Sequence, residues 1–509
     1  MRKLTVSILA LLCALIFATT TGGTLRFVVG ADAVTLLPGN FSDGASALVA
    51  SHIFEGLVEL DEKNQIQPLL AERWEVSPKA DVYTFYLRRG IKFHDGTDFT
   101  AAAVKKHFDY LLANKFRRSG MFRAVLKEVK VINDYTVQFI LHEPFAPFLY
   151  YLAHEAAMIP SPASIDRFGK EPATLGKNPV GTGPFIFQEW KVGERFILRK
   201  NPNYWQKGKP YLDSIIFQVI PDDVARATAV RSGSAHIMFN PPPVMADVLK
   251  KDPNLNVVVR PGMRVIYIGI NLLSDKFKDI RVRQALNYAI DRQKLCQVIM
   301  RGYATPSDSP LSPLVPGYYP VGVYEYNPEK AKQLLREAGV TNLRVELATP
   351  KGRYLNDYET ALAVQAMLKA VGIQADVKPM EWGTFLDYTY DPSAKFELFL
   401  IGWSPSTGEG HWVLYPLFHS DNALRNPDGT GDNNGSYINK RVDELIEMIA
   451  REPDWNKAKE YYREVQEIIK QDAPWIFLYV PNDITVVRKE VKGVNFRPLH
   501  VKFAYIEKK

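Results

Sequence analysis

Hydrophobic and polar positions along this chain repeat at two periods, and the changes from one to the other mark its elements. Across residues 82–87, Tyr83, Phe85 and Leu87 alternate against Val82, Thr84 and Tyr86, which is the period of a half-buried strand. Ser77-Pro78 turns the chain before this strand and His94-Asp95-Gly96 reverses it afterwards. Thr100 is placed as an N-cap, and Val104, Phe108, Leu111 and Leu112 then follow at helical spacing. Further strands are predicted at 24–29, near Val137, twice within 178–205, at 256–259 and at 265–271. Helices are predicted within 43–60, near Phe148 and at 222–232. Asp279 should cap a helix with the face Val282, Ala285, Leu286, Ala289 and Ile290. Beyond it Leu343, Val345 and Leu347 alternate, a helix around Ala361, Val364 and Leu368 ends near Gly372, and strands recur at 373–377 and 396–401. This succession predicts a mainly parallel sheet. Two late helices show the faces Val442, Leu445, Ile446, Ile449 and Tyr461, Val465, Ile468, and an apolar strand runs from Pro474 to Val480.

Composition makes the chain globular and large. It has 509 residues, 46% of them hydrophobic and 23% charged. A single core stops growing near about 250–300 residues, so two or three lobes are expected. At the amino terminus Arg2-Lys3 precedes an apolar run over 4–18, and small and polar residues continue to Gly23. That is the layout of a cleavable export signal, and the run is shorter than the roughly 20 apolar residues of a membrane span. The mature chain is therefore expected outside the cytoplasm. Leu12 before Cys13 lacks the small side chain of a lipoprotein cleavage site, so no lipid anchor is expected. Cys296 is then the one remaining cysteine, without an internal partner, and its helical context predicts a buried, inert thiol. The formal charge is +7, and the basic residues are spread along the chain rather than gathered with aromatics in a stripe, which argues against nucleic-acid binding.

Three stretches carry a family resemblance. Residues 69–104 contain WxxS, FxLRxGxxFxDG and T-A-x-x-V; residues 178–205 read NPVGTGPFIFQEWKVGERFILRKNPNYW; and INLLSDKFKDIRVRQALNYAIDRQKL begins at Ile270. Together they resemble the extracytoplasmic solute-binding proteins of peptide-type ABC importers, the family of oligopeptide-, dipeptide-, nickel- and glutathione-binding proteins. The resemblance implies an α/β, two-lobed periplasmic binding protein of the peptide-binding class, with a hinge and an additional inserted subdomain. The expected division is a signal peptide over 1–23, lobe I over 24–55, an inserted subdomain over 56–179, lobe I again over 180–264, lobe II over 265–479, and a return to lobe I over 480–509. Chain crossings near Val265 and Val480 would form a two-strand hinge. One departure from the signature is Ala103, where the family usually has Asp before the Val of T-A-x-x-V.

The resemblance also nominates the cleft. In peptide binders the third residue after the Trp of Gly402-Trp403 is an Asp that pairs with the ligand amine. Ser406 stands there in this chain, Glu409 follows three residues on, and GWSPSTGEGHWVLYPLFHS resembles the loop of the glutathione-binding branch. Glu409 is thus the candidate partner of an ammonium, with His411 beside it, set against the plainer reading of a solvated loop acid. A ligand carboxylate wants the planar fork of Arg. Arg353 resembles a family position facing the cleft, and Arg123 is a second candidate. Trp382 and Trp403 are candidate apolar walls. Asn271, in I-x-I-N, should fix loop geometry or donate to the ligand, and Asp43 could add a polar contact from the first lobe.

No catalytic constellation is present in the sequence. His142-Glu143 and His154-Glu155 lack a second His at zinc-protease spacing, the GxG of residues 181–183 lacks its third Gly, and neither a GxSxG elbow nor a Walker A loop occurs. The expectation is a monomeric binding protein without a cofactor that serves a membrane permease and its ATPase subunits by capturing a short peptide, glutathione-like in character. The alternatives are the same scaffold holding an oligosaccharide, a metal chelate or haem, and, from another class, an extracytoplasmic peptide hydrolase. An oligosaccharide site would stack aromatics with no Arg facing a carboxylate, so Arg353 and Glu409 discriminate.

Overall fold

The computed structural model describes residues 22–393, 395–497, 501–502 and 506–508. Apart from Gly22 and Gly23, the expected signal, with Cys13, lies outside the described residues.

Thr24–Val29 is apolar enough to sit at the middle of a seven-stranded sheet. The order is Leu255–Arg260, Asp483–Arg488, Ile237–Phe239, Thr24–Val29, Ser214–Val219, Arg195–Lys200, Phe185–Lys191. Thr24–Val29 pairs in parallel with both neighbours. The three parallel strands therefore end on one edge, where open α/β sheets leave a crevice for ligands.

A four-stranded antiparallel sheet forms a separate layer: Ala71–Val76, Val82–Leu87, Thr136–Leu141, Leu126–Asn133. Val82–Leu87 alternates as its sequence predicts, and Tyr83, Phe85 and Leu87 share one core with Val104, Phe108 and Leu111 of the helix Ala101–Ala113. Thr100 is the N-cap residue of that helix, yet its side chain makes no capping bond. The His94 turn docks on the glycine-rich turn instead. His94 N donates to the Gly181 carbonyl at 2.9 Å, and the His94 Nε2 lies 2.9 Å from the Gly183 carbonyl. Gly181 is required by close approach, since a Cβ there would lie 2.1 Å from the Ile53 carbonyl oxygen. Burial, only partly offset by the Gly183 carbonyl, holds the His94 pKa down at about 4, so the ring is a neutral structural group.

The third sheet has six strands in the order Ala304–Pro306, Trp475–Pro481, Val265–Ile270, Leu398–Trp403, Arg344–Pro350, Gln374–Met380. The expectation of a mainly parallel sheet needs correction. Arg344–Pro350 pairs in parallel with Gln374–Met380 and Leu398–Trp403, whereas the other three pairings are antiparallel. Parallel pairing follows the helical crossovers Asp357–Ala370 and Trp382–Thr389. The antiparallel half is built from the strands that enter and leave this lobe. Both faces are covered by apolar cores. Asp279 caps Ile280–Tyr288 by accepting from Arg281 N, and Cys296 is buried, its thiol pushed up to about 12 by burial. Lys440–Arg451 buries Val442, Leu445, Ile446 and Ile449 as expected. Trp455–Asp472 is turned one position from its apolar stripe and buries Tyr462, Val465 and Ile469 in place of Tyr461 and Ile468. The cause is Gln466, fully buried, which accepts from Ser309 Oγ at 2.6 Å and donates to the Gly317 carbonyl at 2.8 Å.

Two segments join the seven- and six-stranded sheets. One runs from Arg260 to Val265, and the other crosses at Asn482 between Trp475–Pro481 and Asp483–Arg488. Arg260 and Asp483 are register partners. Segments beside the four-stranded layer also touch the six-stranded lobe directly: in the turn between Val58–Leu60 and Ile66–Pro68, Asn64 Nδ2 donates to the Gly408 carbonyl at 2.5 Å, Ala146 N donates to the Ala450 carbonyl at 2.7 Å, and the Tyr151 and Trp412 rings meet edge to face at 5.3 Å. The lobes thus meet at points other than the two crossings.

A Cβ at Gly262 would lie 2.3 Å from the Pro481 carbonyl oxygen, so a side chain there must push the crossings apart. Gly262→Ala is expected to cost about 1–3 kcal/mol, read as a lower urea midpoint with an unchanged slope. A midpoint equal to wild type would show that the crossings yield freely.

Candidate functional site

Two cavities meet between the lobes. The larger, about 450 Å³, lies beyond the carboxyl end of Thr24–Val29, with Gly30 and Ala31 on its floor. Asp43 and the first turn of Gly44–Ala50, Asn240, Arg260 and Asp483 form its sides. Arg118 and Glu155 enter from the four-stranded layer and Ser406 from the six-stranded lobe. The smaller, about 220 Å³, is walled by Tyr354, Trp382, Tyr390, Trp403 and Trp412 and carries Arg118, Arg264 and Arg353 with no lining carboxylate. Arg118 and Ser406 belong to both.

Some of these charges are already engaged. Arg226 bonds to Asp223 and to the Ile220 carbonyl, and Arg497 to Glu59 and the Leu60 carbonyl. Others keep donors in reserve. Arg118 and Arg260 each have a buried Nε without an acceptor among the described residues, and neither forms an ion pair there within 4 Å. Among the described residues Arg264 donates once, to the Gly402 carbonyl at 3.2 Å. Burial lowers the pKa of all three guanidiniums, because each is partly stripped of water. Arg353 is exposed and lies over the Trp382 ring at 4.9 Å and the Tyr354 ring at 5.4 Å. Of the acids, Asp43 accepts from Ser46 N and Oγ, both at 2.8 Å; Glu155 lies 3.2 Å from His154 Nε2; and Asp483 is raised by burial against the pull of Arg260 and Arg264. A cleft of this kind can neutralise a ligand that bears both an ammonium and carboxylates.

The structure brings together Asp43, Arg353, Trp382 and Trp403 at the cavities. It leaves out four of the expected residues. Arg123 points outward from Ser119–Val125, and its Nη2 donates to the Asn114 carbonyl at 2.9 Å and Ser119 Oγ at 3.0 Å, closing the end of Ala101–Ala113. Asn271 is buried: its Nδ2 donates to the Phe396 carbonyl at 2.8 Å and its Oδ1 accepts from Leu273 N at 3.1 Å, which makes it a turn-fixing residue. Glu409 is 2% exposed and lines neither cavity. Its carboxyl turns back on the helix His411–Phe418, accepting from His411 N at 2.5 Å and Trp412 N at 2.9 Å. His411 is buried against Phe145 at 5.4 Å, and burial followed by repulsion from His419 holds its pKa at about 3. Arg118, Arg260, Arg264 and Asp483 were not foreseen. The basic run Lys115 to Arg118 was a visible signal for the first, but the other three stand at the lobe crossings, and their convergence depends on the hinge.

Residues 65–425 match the family model of the bacterial extracellular solute-binding proteins, family 5 (middle). The chain belongs to this family. It is also 35% identical over 475 residues to the glutathione-binding protein GsiB of Escherichia coli K12, covering 92% of this chain and 91% of that protein. Among solved structures it is similar to the periplasmic binding protein DppA of Helicobacter pylori in complex with peptide STSA, with a TM-score of 0.80, 30% identity, and coverage of 96% of this chain and 98% of that one. HbpA2 of Haemophilus parasuis gives a TM-score of 0.86 at 28% identity over 96% and 100% of the two chains. The family 5 membership and the two-lobed α/β fold agree with the resemblance read from residues 69–104 and its companions.

In this family 5 protein Glu409 makes a pH prediction. Burial pushes its carboxyl up to about 7, opposed by bonds from His411 N, Trp412 N, Thr407 and Tyr462. The folded chain therefore holds the proton more tightly than the unfolded one. Stability should fall as pH rises from about 4.5 through 7, by roughly 1–3 kcal/mol from this group. Glu409→Gln should flatten that part of the profile when urea midpoints are compared at pH 5 and pH 8. Parallel profiles for the two proteins would remove Glu409 as the titrating group.

Proposed function

We propose that this chain is the extracytoplasmic substrate-binding component of an ABC importer, capturing a short, glutathione-like peptide by lobe closure and presenting it to a membrane permease with its ATPase subunits. The observation that carries the reading is the two-part cleft. The larger cavity offers Glu155 and Asp483 to a ligand ammonium, and the smaller offers Arg353 and Arg264, beside aromatic walls, to a carboxylate. Each ligand charge taken from water then meets an opposite one, without which burial costs several kcal/mol, roughly. Arg353 facing a cavity weighs against an oligosaccharide as the ligand. Similarity to GsiB and to DppA with its bound peptide supports the ligand class. In this reading the chain is exported by its amino-terminal signal, acts as a monomer, and returns the peptide chemically intact.

Calorimetry on the purified mature chain tests this with reduced glutathione, neutral tripeptides and maltotriose. The peptides should bind and the sugar should not. Arg353→Ala should weaken peptide binding about 30-fold or more, equivalent to roughly 2 kcal/mol or above. Scattering should show a smaller radius with saturating peptide. Binding of maltotriose alone, or an Arg353→Ala affinity equal to wild type, would sink the peptide reading.

A further inference from the structure

We infer that the junction of the two cavities is a second carboxylate subsite, formed by the Arg118 guanidinium and the Ser406 hydroxyl, which makes the protein select peptides with an acidic side chain over their amides. The inference rests on the peptide reading above and adds a second anionic group to the ligand.

Arg118 and Ser406 are the two residues that line both cavities. Each carries a buried polar atom with no partner among the described residues, Nε in Arg118 and Oγ in Ser406. Buried donors in native structures are satisfied as a rule, so a pair left open at one place marks where an acceptor from outside the chain belongs. The guanidinium has only donors and the hydroxyl can add one to a carboxylate, whereas an ammonium would be repelled by Arg118 and find no acceptor on it.

The surroundings agree in sign. No carboxylate lines the smaller cavity, where Arg118 is joined by Arg264 and Arg353. Glu155 and Asp432 attract Arg118 and Arg117 repels it, and burial outweighs them, while Arg118 forms no ion pair within 4 Å among the described residues. An acid at position 406 would have closed this site from within, whereas the hydroxyl leaves it open. Arg118 is also held in position: its backbone N–H donates to the Gly39 carbonyl at 2.9 Å, which ties the loop of the four-stranded layer to the first lobe. The subsite is therefore assembled from two modules that meet when the lobes close.

The test uses tripeptide pairs with Glu or Gln at the first, second or third position in an otherwise Ala and Gly sequence, with calorimetry on the full mature chain. In at least one pair the Glu peptide should bind wild type about 30-fold or more tightly than its Gln partner. Arg118→Gln should bring that ratio within about threefold, whatever it does to the Gln-peptide affinity itself. Ser406→Asp, which supplies the missing acid from the protein, should abolish or reverse the preference. Thermal melts establish that both variants fold. Equal wild-type affinities in all three pairs, or a ratio that survives Arg118→Gln, would overturn the subsite and leave the peptide reading standing. Failure of every peptide to bind would overturn both.

Discussion

The rest of the structure depends on the contact between its two lobe crossings, where Gly262 lies against the carbonyl of Pro481 with no room for a Cβ. Two strands held this near one another act as a single pivot, and the rest of the architecture is arranged about it. Arg260 and Asp483, partners in register, stand on one side of the pivot, and Arg264 stands on the other. The hinge and the cleft are in this sense built from the same few residues. A rotation of the lobes moves the cleft charges with it, which is how a binding protein couples ligand capture to shape.

Charge in the cleft is divided unevenly, and the division has a physical logic. Arg226 and Arg497 are engaged by carboxylates and backbone carbonyls, so they shape the walls. Arg118, Arg260 and Arg264 are partly desolvated without a matching ion pair among the described residues, a state that a protein on its own gains nothing by keeping. Stability accepts that cost where a ligand later offsets it. Asp43, by contrast, reaches the larger cavity with both carboxylate oxygens already bonded to Ser46, so it serves first to start the helix Gly44–Ala50.

The loop after Trp403 lines the cavities with side chains other than the acid that its sequence brings forward. Residues 402–411 do reach the cavities, through Gly402, Trp403, Ser404 and Ser406 and not through Glu409. Glu409 was the more conspicuous residue because a lone acid in a glycine-rich loop suggests an ammonium partner. Whether such an acid faces outward or caps the following helix depends on the backbone angles of that loop, which packs against Tyr462 and Asn64. The same holds for Arg123 and Arg118, five residues apart. One closes a helix end and the other reaches the ligand space, a difference fixed by where Ser119–Val125 begins.

What the sequence determined by itself was everything encoded by local period and local turn chemistry. The alternation at Val82–Leu87, the helix within 222–232, the cap at Asp279, the buried face of Lys440–Arg451 and the motifs that carried the family were all legible, since each depends on neighbours within a few residues. Tertiary structure alone decided the mixed pairing of the six-stranded sheet, the one-position turn of Trp455–Asp472 around Gln466, and the meeting of Arg118, Ser406, Arg260 and Arg264. Strand partners and cleft walls are chosen by contacts between residues far apart in the chain, and no periodicity records which distant donor will be left without an acceptor when the lobes close.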